Sequence, residues 1–296
     1  MKGWVNMKYN SISELCRKAE ALNIKLSELV LKDQAALMEK SEEDLKQTMR
    51  TMLDVMRQST KEGLKPGIRS VSGLSGGDAY KLDQAIKKGQ SISGSIIGKA
   101  LVKALSVSET NACMGKIVAA PTAGSCGIIP AVLMTIAEER QIEDEQLIMA
   151  LFTSSAIGMV IANKASISGA EGGCQAECGT ASAMAAAVLV ELCGGTPAMI
   201  EHAVAIALKS KLGLVCDPVA GLVEIPCIKR NAMGAANAFV AAEMALAGIE
   251  SKIPVDEVIH AMKTIGDTMS TTLKETAEGG LASTPTAKKL MKEVFG

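Results

Sequence analysis

The 296-residue chain carries 31 Lys and Arg against 32 Asp and Glu, a formal net charge of -1 with both signs interspersed, which leaves no electrostatic footprint for nucleic acid or an anionic membrane. Hydrophobic residues make up 48% and aromatics only 2%, so Ala, Leu, Ile, Val and Met must fill the core. With 27 glycines and 17 methionines, that core favours close-packed helices over strands.

The length suffices for one large domain or two moderate ones. No apolar h-region follows the opening MKGWVNMKYNS, so no secretory signal is read there. Eight unevenly spaced cysteines point to thiols or metal ligands rather than disulfides, and the expected compartment is the cytoplasm. The stretch from Gln146 to Asn163 (QLIMALFTSSAIGMVIAN) is near the lower length limit for a membrane span. Its Gln146, Thr153, Ser154, Ser155 and Asn163, and the want of comparable partners, favour a helix buried on all sides within a soluble domain.

Residues 11 to 63 read as helices with polar faces. Ser11 with Glu14, and Ser41 with Asp44, have the spacing of helix-capping pairs. Leu45, Met49, Met52, Leu53 and Met56 form an apolar stripe facing a core or a partner, and Gly63, Pro66 and Gly67 end the helix. Residues 1–66 are therefore expected to form a helical lead and residues 67–296 an all-helical domain, the two continuous with each other.

In SVSGLSGGDAYKL, Ser75, Gly76 and Gly77 precede a helix starting near Asp78. Backbone N–H groups at such a start suit an anion. No GK[ST] follows, and a flexible connection accounts for the loop equally well. Residues 91 to 105 read as an apolar helix. A second small-residue loop follows in APTAGSCGIIPAVL, where Thr122, Ala123, Gly124 and Ser125 lie beside Cys126 and Pro130 begins a helix. Further helices are expected at about 178–192, 197–211, 227–248, 254–270 and 286–295, with no alternating strand of convincing length. The predicted fold is all-α, a multi-helix globular domain with Gly/Ser-rich loops at helix N-termini.

Three cysteines sit where the chain changes direction. Cys174 follows Gly172-Gly173, Cys216 precedes Asp217-Pro218, and Cys227 follows Pro226 at a helix start. A thiol at a helix N-terminus becomes the thiolate that binds metal more readily. The spacing matches neither zinc-type pairs nor ferredoxin runs, so on residues alone a soft metal centre and a small-residue core both stay open. Cys16, Cys113, Cys178 and Cys193 read as core, and Cys126 is undecided. His202 and His260 fall on amphipathic helices away from the glycine loops, while Asp217 and Glu224 lie between two candidate ligands as supports.

The stretches SISGAEGGCQAECG, LVCDPVAGLVEIPCIKRNAMGAANA and APTAGSCGIIPAVL resemble the α-chain of bacterial iron–sulfur-dependent L-serine dehydratase, and SVSGLSGGDAYKL is similar too. The likeness runs over nearly the whole chain. It implies an all-helical fold, a [4Fe-4S] cluster on Cys174, Cys216 and Cys227, and elimination of water from L-serine to give pyruvate and ammonia. A cluster iron without a protein ligand would act as Lewis acid on the hydroxyl, and a base would take the α-proton. The substrate carboxylate would sit on Thr122, Ala123, Gly124 and Ser125 and on the Ser75-Gly76-Gly77 loop. No lysine imine is needed, so pyridoxal phosphate is not implied.

The family's β-domain carries a Ser-rich, His-containing motif thought to supply the base. No such motif is found here, so the expectation is a heteromeric enzyme completed by a β chain. Some members cap the open iron with a terminal cysteine, which the ending MKEVFG does not provide. A related β-eliminase such as an L-cysteine desulfidase would use the same ligands, and a non-catalytic helical protein would carry the cysteines without iron.

Overall fold

The computed structural model describes residues 9–296. Three helices open it: α1 (Ile12–Ala21), α2 (Leu26–Met38) and α3 (Glu42–Glu62). Ser11 accepts the Glu14 N–H at 3.0 Å and Ser41 accepts that of Asp44 at 3.1 Å, so both capping serines satisfy donors that the first turn leaves free. The end of α3 lies against α5 (Gly94–Ala112), where a β-carbon on Gly63 would come within 2.7 Å of the Ser106 Cα. Between them runs α4 (Asp78–Lys87).

The sequence expectation ended α5 near residue 105, where Ser, Thr and Glu appear. The helix instead runs on to Ala112 because its hydroxyls are satisfied internally. Ser108 donates to the Ala104 carbonyl, Thr110 to that of Ser106, and Ser106 to that of Ser59 on α3.

The centre is built by α6 (Ile128–Arg140), α7 (Asp144–Lys164) and α9 (Thr180–Leu192), the last preceded by a four-residue turn, α8 (Gly169–Gly172), and a π-helical turn at Gln175–Gly179. Thr180 through Glu191 are all buried. The run TASAMAAAVLV is apolar or small on every face, so α9 can be surrounded, with Glu191 at its end hydrogen-bonded by Thr153. It packs against α6, α7, α10 (Pro197–Lys209) and α11 (Cys227–Leu246). Among the described residues one helix, α7, is long and apolar enough to cross a membrane, and most of that stretch is buried, against α2, α3 and α9.

The chain closes with α12 (Val255–Thr268) and α13 (Pro285–Phe295). One hydrophobic cluster includes Leu15, Leu26 and Leu53 of the first three helices together with Ile128, Ile157 and Val188. Among the described residues there is no sheet; the extended backbone makes an isolated parallel bridge between Cys216 and Lys274.

Candidate metal centre

Cys174, Cys216 and Cys227 come from three separate segments. Cys174 leads into the π-turn, Cys216 lies in the extended segment paired with Lys274, and Cys227 is the first residue of α11. All three are buried free thiols. Gly173 makes the entry to Cys174 possible: its φ is +75°, and a β-carbon there would press within 2.7 Å of the Met269 sulfur. Gly169 leaves room at the second thiol, since its β-carbon would come 2.8 Å from the Cys216 Sγ.

Hydrogen bonds fix these segments to one another. Gln175 donates from its backbone N–H to the Leu214 carbonyl at 2.9 Å, and its Oε1 accepts the Gly213 N–H at 2.9 Å. Cys216 donates its N–H to the Leu273 carbonyl at 2.9 Å and accepts that of Glu275 at 2.7 Å. Arg230, one turn into α11, donates to the Val215 carbonyl at 2.8 Å and pairs with Asp217 at 2.9 Å. Asn231 is buried, donates to the carbonyls of Gly124 and Cys227, and accepts the Gly127 N–H at 2.8 Å.

The thiols feel one another. Burial first, then the negative charge of a Cys174 thiolate, pushes Cys227 up to about 12 and raises Cys216 as well. Cys174 moves the other way: a hydrogen bond shared with the Cys178 thiol lowers it, helped against burial by the Arg230 charge. Burial opposes the charge on Arg230, and the charges of Cys174 and Asp217 outweigh it. Three thiolates in so dry a place repel, and a cationic metal centre removes that penalty because a coordinated thiol is deprotonated outright. Among the described residues the metal-capable donors gathered within 4.8 Å are Cys174, Glu177 and Cys178, a set without Cys216 and Cys227. Soft thiolate donors suit an iron–sulfur group, and three buried thiols on separate segments, two of them raised by the charge of Cys174, are a donor set of that chemistry.

The two glycine loops are placed differently from each other. Thr122 donates to the Glu177 carboxylate, Ser125 lies 3.1 Å from the Thr122 hydroxyl, and the Gly124 N–H helps hold the Glu177 charge. A β-carbon on Gly124 would come 2.8 Å from the Glu177 carboxyl carbon, so this cradle already receives a carboxylate, one from the chain itself. Burial raises the Glu177 carboxyl above its usual value, opposed first by the Thr122 hydrogen bond. Ser75 and Ser72 donate to Glu224 at 2.5 and 2.7 Å, tying their loop to the segment between Cys216 and Cys227. The N–H groups of Asp78 and Ala79, expected to face an anion, point to the buried carboxylate of Glu109 at 2.7 and 3.4 Å.

Cys178 is buried as expected of a core thiol, yet its sulfur lies beside that of Cys174. Cys126 is buried and raised by burial to about 12. Cys16 is also buried, whereas Cys113 and Cys193 are partly exposed. His202 accepts the Ser251 N–H at 3.3 Å and His260 is exposed on α12. Sequence reasoning passed over Glu177, Arg230 and Asn231, though spacing carried a signal. Glu177 is three residues from Cys174, and Arg230 and Asn231 are three and four residues from Cys227, which puts them on the same helix faces.

A sequence model of the family described as "Serine dehydratase alpha chain" matches residues 21–282. The chain belongs to the serine dehydratase α-chain family. It is 52% identical over 288 residues to the probable L-serine dehydratase, alpha chain, of Bacillus subtilis (strain 168), covering 97% of this chain and 96% of that one. It is 44% identical over 284 residues to the L-serine dehydratase, alpha chain, of Peptoniphilus asaccharolyticus, covering 96% and 97%. The L-serine dehydratase of Streptomyces coelicolor (strain ATCC BAA-471 / A3(2) / M145) is 43% identical over 274 residues, with 91% of this chain covered and only 59% of the relative. Two such family members thus have the length of this chain, and the third carries additional sequence.

Proposed function

We propose that this chain is the α subunit of an L-serine dehydratase, converting L-serine to pyruvate and ammonia, with a [4Fe-4S] cluster on Cys174, Cys216 and Cys227. The observation that carries the reading is a set of three buried thiols on three segments of a serine dehydratase α chain, with the charge of Cys174 raising both Cys216 and Cys227. Bound there, the cluster supplies Lewis acidity toward the hydroxyl that leaves.

The chain's own residues do the rest of what this subunit contributes. Thr122, Ala123, Gly124 and Ser125 bind the substrate carboxylate, a role supported by the carboxylate of Glu177 already resting on Thr122 and Gly124. Asn231 keeps that loop against the start of α11, and so fixes the distance from bound substrate to Cys227. Ser75, Gly76 and Gly77 close the other side, through the bonds of Ser72 and Ser75 to Glu224. Burial of the three thiols excludes water from the reacting groups.

Loss of the α-proton and of hydroxide from L-serine leaves 2-aminoacrylate, and addition of water with loss of ammonia gives pyruvate. The proton requires a base. The family resemblance assigns that base to the histidine-containing motif of the β-domain, so the base belongs to a β chain that docks over the site. The additional length of the Streptomyces relative agrees with a second functional part. The cytoplasm is the compartment in which reduced thiols of this kind persist.

The test is pyruvate formation under anaerobic conditions by the iron-loaded chain, alone and with the β chain, using L-serine and L-cysteine as competing substrates. Pyruvate from serine that depends on the β chain supports the reading. Preference for cysteine, or no turnover by the loaded pair, overturns it.

A further inference from the structure

Arg230 reaches from the first turn of α11 to both neighbours of Cys216. Its Nη1 donates to the Val215 carbonyl at 2.8 Å, and its Nη2 lies 2.9 Å from Asp217 Oδ1. The Asp217 side chain is only 4% exposed, so the pair is largely withdrawn from water. The other oxygen of Asp217 accepts the Leu281 N–H at 2.8 Å, which makes the carboxylate a fixed post. The guanidinium reaches both neighbours at once, hydrogen-bonding the Val215 carbonyl and meeting Asp217 Oδ1 as a close ion pair rather than an aligned hydrogen bond.

We infer that Arg230 is a positioning residue that fixes Cys216 relative to Cys227. The two thiols are eleven residues apart in sequence, joined by a loop whose only regular element is the short turn Val219–Gly221. Cys227 is carried by the same helical turn as Arg230, so whatever Arg230 grips is held in register with Cys227. The remaining ties of Cys216 run to Leu273 and Glu275, in a connection that includes the exposed residues Thr271 and Glu275. The Arg230 clamp instead anchors Cys216 to the packed body of the protein, through α11 against α5 and α9. It acts before any cluster is present, so Cys216 is already anchored in the apoprotein.

The clamp itself is tested without iron, whereas its consequence for the cluster rests on the reading of Cys174, Cys216 and Cys227 as ligands. In the reduced apoprotein, alkylation of each cysteine by iodoacetamide is followed by mass spectrometry for wild type, Arg230→Gln, Arg230→Lys and Asp217→Asn. Alkylation of a buried thiol proceeds through local opening, so losing the clamp is expected to speed reaction at Cys216 about tenfold in Arg230→Gln. Lysine reaches one acceptor only, so Arg230→Lys is expected to fall between the two.

Cys126, buried and outside the clamp, serves as the fold control and is expected to keep its wild-type rate. Removing Arg230 leaves Asp217 buried and unpaired. If Cys126 also accelerates in Arg230→Gln, the Cys216 rates of Arg230→Lys and Asp217→Asn decide, since these variants unmake the clamp more gently. Cys216 rates within about twofold of wild type in the folded variants overturn the inference. After anaerobic reconstitution, Arg230→Lys is expected to lose iron in air several-fold faster than wild type, and an equal rate rejects the clamp's bearing on the cluster. A wild-type chain that never takes up iron sinks the ligand assignment, while the alkylation rates still decide the clamp.

Discussion

The Asn231 side chain donates to the Gly124 carbonyl at 2.6 Å, joining the Thr122–Ser125 loop to the helix that Cys227 opens. The same amide bonds the Cys227 carbonyl at 3.0 Å and accepts the Gly127 N–H at 2.8 Å, all buried. One side chain thus sets the distance between the proposed carboxylate cradle and a proposed cluster ligand. Replacing Asn231 with Ala removes the partner that the Gly127 N–H and the Gly124 carbonyl find across this joint, at about 1–3 kcal/mol each. Thermal unfolding should register that loss, and Asn231→Ala should also lower kcat; a wild-type melting temperature contradicts this account of the joint.

Thr122→Val removes the hydroxyl that now donates to the Glu177 carboxylate. If the loop also binds the substrate carboxylate, the variant loses one charge-assisted hydrogen bond, worth about 1.5–3 kcal/mol, and KM for L-serine rises by at least about tenfold. Iron content should stay at the wild-type level, because Thr122 bonds none of the three thiols directly and meets the Cys174 turn only through the Glu177 side chain. An unchanged KM removes the loop from substrate binding.

Gly169→Ala probes the room around Cys216. The new β-carbon would stand 2.8 Å from Cys216 Sγ and 3.2 Å from Glu275 Oε2, closer than carbon and sulfur pack without displacement. The expected result is poorer iron uptake on reconstitution with helical circular dichroism unchanged. Gly194→Ala supplies no such clash and serves as a control for handling, although its φ of +80° gives it a modest stability cost of its own. Wild-type iron uptake by Gly169→Ala would mean that Cys216 tolerates displacement.

Much of this architecture is written locally. Ser11 and Ser41 announce helix starts because a cap is satisfied within four residues, and the uncharged run at 146–163 announces a buried helix by its composition alone. The turns that carry Cys174, Cys216 and Cys227 are marked by Gly173, Pro218 and Pro226. What joins them is not local. Gly124 and Asn231 are separated by 107 residues, Ser75 and Glu224 by 149, and Thr122 and Glu177 by 55, so no window of sequence displays those pairs. The Ser75-Gly76-Gly77 loop shows the same limit: its glycines suggested free N–H groups, but Glu109, thirty-one residues beyond Asp78, already faces the helix start. Cys178 reads as core by its surroundings, although its spacing of four residues from Cys174 already puts the two on one helix face, and the π-turn sets its sulfur beside that of Cys174.

Glu191 offers a pH test away from the candidate centre. Its carboxylate accepts Thr153 at 2.6 Å and the Ser27 N–H at 3.2 Å, yet burial dominates and raises the carboxyl above its usual value. In the folded state it therefore holds its proton to higher pH than in the unfolded chain. Its contribution to stability is present below the ordinary carboxyl range and is lost as pH rises through the raised value. Glu191→Gln keeps a hydrogen-bonding side chain without the titration. Urea unfolding from about pH 4 to pH 8 should show Glu191→Gln gaining on wild type as pH rises, the gain levelling off above the raised value. A constant difference across that range contradicts the burial effect.

The most direct measurement is iron and acid-labile sulfide per chain after anaerobic reconstitution, for wild type beside Cys174→Ala, Cys216→Ala, Cys227→Ala and Cys178→Ala. Wild type and Cys178→Ala are expected to hold about four irons and four sulfides, and each of the other three to lose them. Iron that survives removal of Cys174, Cys216 and Cys227 singly, or that departs only with Cys178, contradicts the ligand set on which the proposed chemistry stands.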